Sequence, residues 1–495
     1  MLKQEDIDTL RNKRISAQNL FVGSKQIPSK SGKTLEVTSP IDGETLTTIA
    51  NANEADVDHA VKTARKSFES GHWSKTSPQE RKKVLYKFAE LIEENALEIA
   101  VLGVRDNGTE INMAIMAEPM SAAACIRYYA ETIDKMYGEI APTPDNILGL
   151  IHREPIGVIG AIIPWNFPLL IGSWKFAPAL STGNSIIIKA AENASLSLLR
   201  LAELAIEAGI PEGVFNVITG EGEVAGKALA MHMDVDVIAF TGSGEVGRKI
   251  LEYSSRSNLK KVYLELGGKS PNIVFADTPD IDAAVSQSLW GIFRNSGQVC
   301  VAGSRLIIEE SIADEFTEKL IKESQNIVVG DPLNLQSNLG AISSQEQLNK
   351  NLNYVENAQA EGGILGSGGK QINQELGGFY MEPTVFSKIS NDMKIAQEEV
   401  FGPVLSILTC KDEAEAVKIA NETVYGLASA VWTSDLSKAH RMIKSIRAGV
   451  VHVNCYGGAD LTVPLGGVKQ SGNGHDRSLH ALEKYTDLKT AWISL

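Results

Sequence analysis

The chain has 495 residues, 43% of them hydrophobic and 22% charged, an ordinary balance for a globular protein of two or three domains. Its net charge of −14 argues against nucleic acid or an anionic membrane as a main partner. Cys125, Cys300, Cys410 and Cys455 lie far apart with no CxxC pair, and the eight histidines show no metal-ligand spacing. Neither a disulfide framework nor a metal site is expected.

The first residues, Met1-Leu2-Lys3-Gln4-Glu5-Asp6, lack an apolar signal core, and no apolar run approaches the ~18 residues of a membrane span. A cytoplasmic protein is the expectation. Residues 1–50 read as an irregular arm with short strands and turns at Ser39-Pro40 and Asp42-Gly43. Residues 54–71 and 78–106 read as amphipathic helices; in the second, Val84, Phe88, Leu91 and Ile92 recur at helical spacing. Residues 138–151, with Pro142, Pro144 and an Asp145-Asn146 turn, suggest a hairpin. A buried strand then ends at Pro164, and Pro168 sits where a helix can begin. Asn166, at that junction, is either a turn or cap residue or a free functional amide.

From 184 to 265 the pattern alternates. Strands at 185–189, 214–218, 235–240 and 261–265 are separated by helices near 195–208, 222–230 and 245–255. That is a parallel, doubly wound sheet. A second alternating region follows from 271 to about 465, with strands that include 271–275, 304–308, 403–409, 427–432 and 449–453. Its helices include 280–294, 311–325, 412–421 and 435–445. Residues 488–495 form an apolar terminal strand, for which pairing with a neighbouring subunit is the expected resolution.

Gly242-Ser243-Gly244-Glu245-Val246-Gly247 matches the GxGxxG dinucleotide fingerprint, and Glu265 ends the next strand where a ribose-binding carboxylate could stand. Yet the unit comes late in the sheet, and Lys189 and Glu192 offer a second ribose pair after an earlier strand. That would release Glu265 for chemistry. The glycines and helix N-terminus suit a pyrophosphate; a tight turn is the plain alternative. Cys300 ends the polar break Asn295-Ser296-Gly297-Gln298. A free thiol has a pKa near ~8.5, so a nucleophilic Cys300 needs backbone N–H groups or a base nearby.

Pro164-Trp165-Asn166-Phe167-Pro168, Phe240-Thr241-Gly242-Ser243, Glu265-Leu266-Gly267-Gly268-Lys269-Ser270-Pro271, Gly297-Gln298-Val299-Cys300 and Glu398-Glu399-Val400-Phe401-Gly402-Pro403 occur in this order. Together they resemble the NAD(P)-dependent aldehyde dehydrogenase superfamily, over the chain from about residue 20 onward. The tail segments 469–474 and 478–484 are similar to members acting on γ-glutamyl-γ-aminobutyraldehyde in putrescine breakdown.

The resemblance implies a fold of two doubly wound α/β domains plus a small β oligomerisation element. Residues 1–136 and 156–265 would form the NAD-binding domain, 266–470 the catalytic domain, and 137–155 with 471–495 the oligomerisation element of a homodimer or homotetramer. It implies Cys300 as nucleophile, Asn166 and the Cys300 backbone N–H as oxyanion hole, Glu265 as the base that activates water, and Lys175 on the proton path. Hydride would pass from a thiohemiacetal to the nicotinamide and leave a thioester. A glutamate at 265 favours hydrolysis over transfer to coenzyme A.

For the cofactor, the resemblance implies Trp165, Lys189, Glu192, Gly222, Gly242, Ser243, Gly247, Leu266, Glu399 and Phe401. Glu192 favours NAD and leaves NADP possible. For substrate it implies Phe167, Trp174, Asp460 and Leu465, with no metal. Three departures stand out: Lys189-Ala190-Ala191-Glu192 keeps both functional groups of the usual motif, Gly244 replaces a common Thr, and Leu465 replaces an aromatic wall. Asp460, a lone carboxylate beside Gly457, Gly458, Ala459 and Leu461, suggests an amino-aldehyde. The alternatives are a broad-range aliphatic or betaine aldehyde dehydrogenase and, more distantly, a Rossmann-type reductase or a non-catalytic scaffold.

Overall fold

Three sheets of three or more strands organise the computed structural model, which describes residues 2–458 and 460–495. The first has eight strands in the order Lys25–Ile27, Leu20–Val22, Phe215–Ile218, Ser185–Lys189, Val158–Ile162, Val237–Thr241, Lys261–Glu265 and Gly472–Asn473. Its five central strands run parallel. Ser185–Lys189 and Val237–Thr241 are buried at every residue, because helices cover both faces of a parallel sheet. The second sheet has seven strands, in the order Ile364–Ser367, Thr384–Ser387, Val404–Cys410, Arg305–Glu309, Pro271–Val274, Ala428–Trp432 and Val450–Val453.

The helices form where local chemistry starts and stops them. Glu54–Ser70 begins with a reciprocal capping box between Asn53 and Asp56 and ends at Gly71, whose φ is 78°. Pro168–Ser181 starts on its proline, and the Glu118 carboxylate accepts the Leu169 and Leu170 N–H groups at 2.6 and 3.2 Å. The segment expected as one helix over 78–106 is two, Pro78–Glu94 and Ala96–Asn107. Asn95 breaks it: its side-chain amide donates to the Leu91 carbonyl at 2.7 Å and competes with the backbone ladder. The arm contains a helix, Gln4–Arg11, and the second α/β region gains Gln345–Ala360.

Thr486–Ser494 pairs antiparallel over nine residues with Ile147–Pro155 of the same chain, forming a three-stranded sheet with Glu139–Ala141 in which Thr486–Ser494 is an edge strand. The hairpin offers a free edge within reach of the same chain, so the terminal strand satisfies one side of its backbone there. Gly472–Asn473, assigned above to the oligomerisation element, instead pairs with Lys261–Glu265 in the first sheet. The small element is therefore built from 139–155 and 486–494.

Candidate active site

Four adjacent strands of the first sheet deliver candidate residues at their carboxyl ends. Val158–Ile162 leads to Trp165 and Asn166, Ser185–Lys189 ends on Lys189, Val237–Thr241 leads to Gly242, and Lys261–Glu265 ends on Glu265. Parallel sheets place ligand sites at this edge. The second sheet supplies the opposite wall. Cys300 lies on the turn between helix Ile281–Phe293 and strand Arg305–Glu309, and Glu399 and Phe401 lie just before Val404–Cys410.

The turn before Cys300 is tightly wound. Asn295, Ser296 and Gly297 have φ values of 49°, 53° and 73°, three left-handed residues in succession. Non-glycine residues hold that conformation only under constraint, and buried hydrogen bonds provide it. Thr109 Oγ1 donates to Asn295 Oδ1 at 2.8 Å, Ser296 Oγ donates to the Gly340 carbonyl at 3.0 Å, and Ser343 N–H donates to Gln298 Oε1 at 2.9 Å. Asn166 Nδ2 donates to the Gln298 carbonyl at 2.8 Å, which ties the amide to the turn. Gly268 also presses on it: a Cβ there would stand 2.6 Å from the Cys300 carbonyl.

Cys300 stands at the junction of two cavities. One is lined by Trp165, Asn166, Gly242, Ser243, Glu265, Leu266, Glu399 and Phe401. The other, more apolar, is lined by Phe167, Trp174, Leu465 and others, with Cys300 and Ile171 common to both. Burial pushes the Cys300 thiol up to about 12, and the charges of Glu399 and Glu265 add to this. Burial also holds Glu265 well above the usual carboxylate range, helped by the nearby Asp476 charge and opposed by Lys175 and Lys484.

Glu265 Oε1 is buried with no hydrogen-bond partner among the described residues. An orphaned carboxylate beside a thiol is placed for proton transfer. Lys189 and Glu192, the second ribose-binding candidates, form a separate ion pair.

That pair is joined at 3.0 Å, and the Gly222 N–H donates to Glu192 Oε1 at 2.6 Å. Glu399 Oε1 accepts the Gly268 N–H at 3.0 Å, and burial lifts its carboxyl to about 7. A Cβ on Gly267 would fall 2.1 Å from Glu399 Oε2, so a side chain there would displace that carboxylate from its present position. Trp165 and Phe401 meet edge to face at 5.2 Å. Carboxylates for ribose hydroxyls, a helix N-terminus after Ser243 and an apolar wall together fit a dinucleotide. Gly247 has a packing role: a Cβ there would meet Leu266 at 2.9 Å, so it seats its helix on the sheet.

These features, a half-buried thiol between a dinucleotide-shaped cleft and an apolar funnel, agree with the comparisons. The aldehyde dehydrogenase family model matches residues 27–491. The chain belongs to the aldehyde dehydrogenase family. It is 47% identical over 477 residues to the NADP/NAD-dependent aldehyde dehydrogenase PuuC of Escherichia coli, covering 96% of this chain and 95% of that one. The structure of γ-glutamyl-γ-aminobutyraldehyde dehydrogenase from Burkholderia cenocepacia superposes with a TM-score of 0.98 at 48% identity, covering 100% of both chains. The P. syringae indole-3-acetaldehyde dehydrogenase in complex with NAD+ matches equally, with a TM-score of 0.98, 48% identity and 100% coverage of both. The chain is thus an NAD(P)-dependent aldehyde oxidoreductase.

Among the expected site residues, Lys175 is 1% exposed and ion-paired with Asp476, which also binds Lys484. Burial works against the Asp476 charge, but the two lysines hold its carboxyl below its usual range. Asp460 is not among the lining side chains of the funnel: it is exposed, and its carboxylate accepts the Thr462 N–H at 2.8 Å. Its neighbour Ala459 lies outside the described residues. Asn295 was visible in the sequence only as part of a polar break, and Thr109, Asp476, Arg294 and Arg477 carried no signal of a site role. Asp476 and Arg477 fall in the gap between the two tail segments that carried the resemblance.

Proposed function

We propose that the chain oxidises an amino-aldehyde of the γ-glutamyl-γ-aminobutyraldehyde class to its acid by a covalent route through Cys300. The observation that carries this reading is the position of Cys300 at the meeting of the two cavities, with Asn166 and Glu265 on the same wall. The thiolate adds to the aldehyde carbon and forms a thiohemiacetal. An asparagine amide has two N–H donors. Asn166 uses one on Gln298, which leaves the other, with the Cys300 backbone N–H, for the oxyanion.

Trp165, Gly242, Ser243, Glu399 and Phe401 line the cleft that would hold NAD, whose nicotinamide would supply the hydride acceptor as the thiohemiacetal collapses to a thioester. Glu265 then takes a proton from water as that water attacks the thioester, and the buried Lys175–Asp476–Lys484 cluster moderates the charge that appears. Lys189 partly neutralises Glu192. That softens repulsion of a 2′-phosphate and supports use of both NAD and NADP, with NAD preferred.

Support for the substrate class comes from the Burkholderia enzyme named for this aldehyde, which matches over its whole length at 48% identity. The test is NADH formation by purified protein with γ-glutamyl-γ-aminobutyraldehyde, 4-aminobutyraldehyde, betaine aldehyde and simple aliphatic aldehydes, with Cys300→Ser run alongside. The γ-glutamyl compound should give the highest kcat/KM, and the variant should be inactive. Equal turnover by the variant would overturn the thiol route.

A homo-oligomer built through the small sheet is part of the proposal. Thr486–Ser494 is an edge strand with Leu488 and Trp492 exposed at 62% and 65%, a surface that a second copy would cover. The four free cysteines, none in a disulfide, support a reducing cytoplasm.

A further inference from the structure

The apolar funnel leading to Cys300 holds two guanidiniums that the catalytic scheme does not use. Arg294 lies over the Trp290 ring at 4.0 Å, and Arg477 lies over the Trp174 ring at 4.3 Å. Both arginines and both tryptophans line the funnel with Cys300. Arg294 is only 9% exposed, and its Nη1 has no hydrogen-bond partner among the described residues.

The described lining contains these two cations, His452 and no aspartate or glutamate. Asp476 and Glu265 act on Arg477 from outside the funnel, Asp476 is already committed to two lysines, and the Asp460 carboxylate, which also feels Arg477, is exposed and accepts the Thr462 N–H. Burial and the two arginines push His452 toward its neutral form, and an imidazole offers no countercharge to a guanidinium in either form.

A buried guanidinium is costly when its N–H groups lack acceptors. Stacking on a tryptophan face steadies the plane but leaves the N–H edge unpaired. That edge is the fork that matches a carboxylate. An ammonium-tipped aldehyde would meet two like charges here. A plain alkyl chain would leave the N–H groups unsatisfied.

We propose that Arg294 and Arg477 form a carboxylate-recognition subsite, and that the preferred aldehyde bears an anionic group at the end remote from the carbonyl. This rests on the dehydrogenase reading and divides its two named amino-aldehydes. The γ-glutamyl adduct retains a free α-carboxylate beside its α-ammonium, whereas 4-aminobutyraldehyde has only its ammonium. Leu465 lines the same funnel as the two arginines.

The experiment compares kcat/KM for three aldehydes of matched length, ending in a carboxylate, a methyl and an ammonium group, with the γ-glutamyl adduct as a fourth. It uses wild type, Arg294→Met and Arg294→Lys. Turnover of the methyl-ended aldehyde by wild type establishes the dehydrogenase independently. The wild-type enzyme should favour the carboxylate-ended aldehyde over the methyl-ended one by about tenfold to a hundredfold. Arg294→Met should erase most of that ratio, and Arg294→Lys should restore part of it.

Binding of the matched dicarboxylate and monocarboxylate products, read by isothermal calorimetry, should show the same order without turnover. A wild-type preference for the ammonium or methyl end would overturn the proposal. So would an equal loss on all three aldehydes in Arg294→Met, which would make Arg294 part of the wall or a partner of the thiol.

Discussion

Replacing Gly297 by alanine should damage both stability and catalysis, by amounts that the geometry sets. The residue has a φ of +73°, and a Cβ built there stands 2.1 Å from the Gly402 carbonyl oxygen and 2.7 Å from Pro403 N. An ordinary contact begins near 3.4 Å, so the two turns must separate by about 1.3 Å. Both contacts are backbone atoms, so no flexible side chain can swing away. The left-handed backbone costs alanine about 1–2 kcal/mol. Overpacking adds about 1–3 kcal/mol.

The displaced turns hold Cys300 on one side and Glu399 and Phe401 on the other. A misplacement near 1 Å at a reacting group costs roughly a hundredfold in rate. The assay pairs urea unfolding with NADH formation from an aliphatic aldehyde. Gly362→Ala is the control: its φ is +98°, but its Cβ would meet nothing within 4 Å. It should show only the backbone cost and retain activity. If Gly297→Ala unfolds no earlier than Gly362→Ala and retains activity within threefold, the coupling of the two turns is refuted.

Other expectations follow from the charges around Cys300. Glu265 works as a base only when ionised, so deacylation should fall as pH drops through its raised pKa, and Glu265→Gln should lose about 10²–10⁴-fold in kcat while keeping a burst of NADH. Asp476→Asn removes a charge that raises Glu265 and frees two lysines that lower it, so the acid limb of the pH–rate profile should move to lower pH. A limb that stays put or moves up would refute the cluster's influence. In the ligand-free protein, iodoacetamide should label Cys300 slowly at neutral pH and faster toward pH 12, and Glu399→Gln should accelerate it; rapid neutral labelling would contradict a thiol whose pKa is raised by desolvation and flanking carboxylates. Trp492→Asp on the exposed edge strand should shift the sedimentation coefficient toward a smaller species, and an unchanged value would move the subunit interface elsewhere.

Much of the fold was legible because period and punctuation are local. The strand 185–189 and the helix expected near 245–255 declare themselves through apolar runs, glycines and a serine cap, and the structure has them as Ser185–Lys189 and Gly244–Ser255. The helix Gln345–Ala360 was less visible: its window is polar overall, and its buried face, with Leu348, Tyr354 and Val355, is thin. The break at Asn95 depends on one side-chain amide choosing the Leu91 carbonyl, which periodicity does not register.

By itself, the sequence determined that two α/β regions follow one another and that a motif set shared with aldehyde dehydrogenases runs through both. Those are properties of residue order. Only the tertiary structure decided what meets what. Glu265 and Cys300 are 35 residues apart, and the second turn that presses on Gly297 lies over 100 residues on. Asp476 reaches Lys175 across 301 residues, and Arg477 comes to share a funnel with Arg294. Such pairings arise because burial forces charged and polar groups to find partners wherever the fold brings the chain together. A guanidinium left without one in a cavity is visible only once every other side chain has been placed.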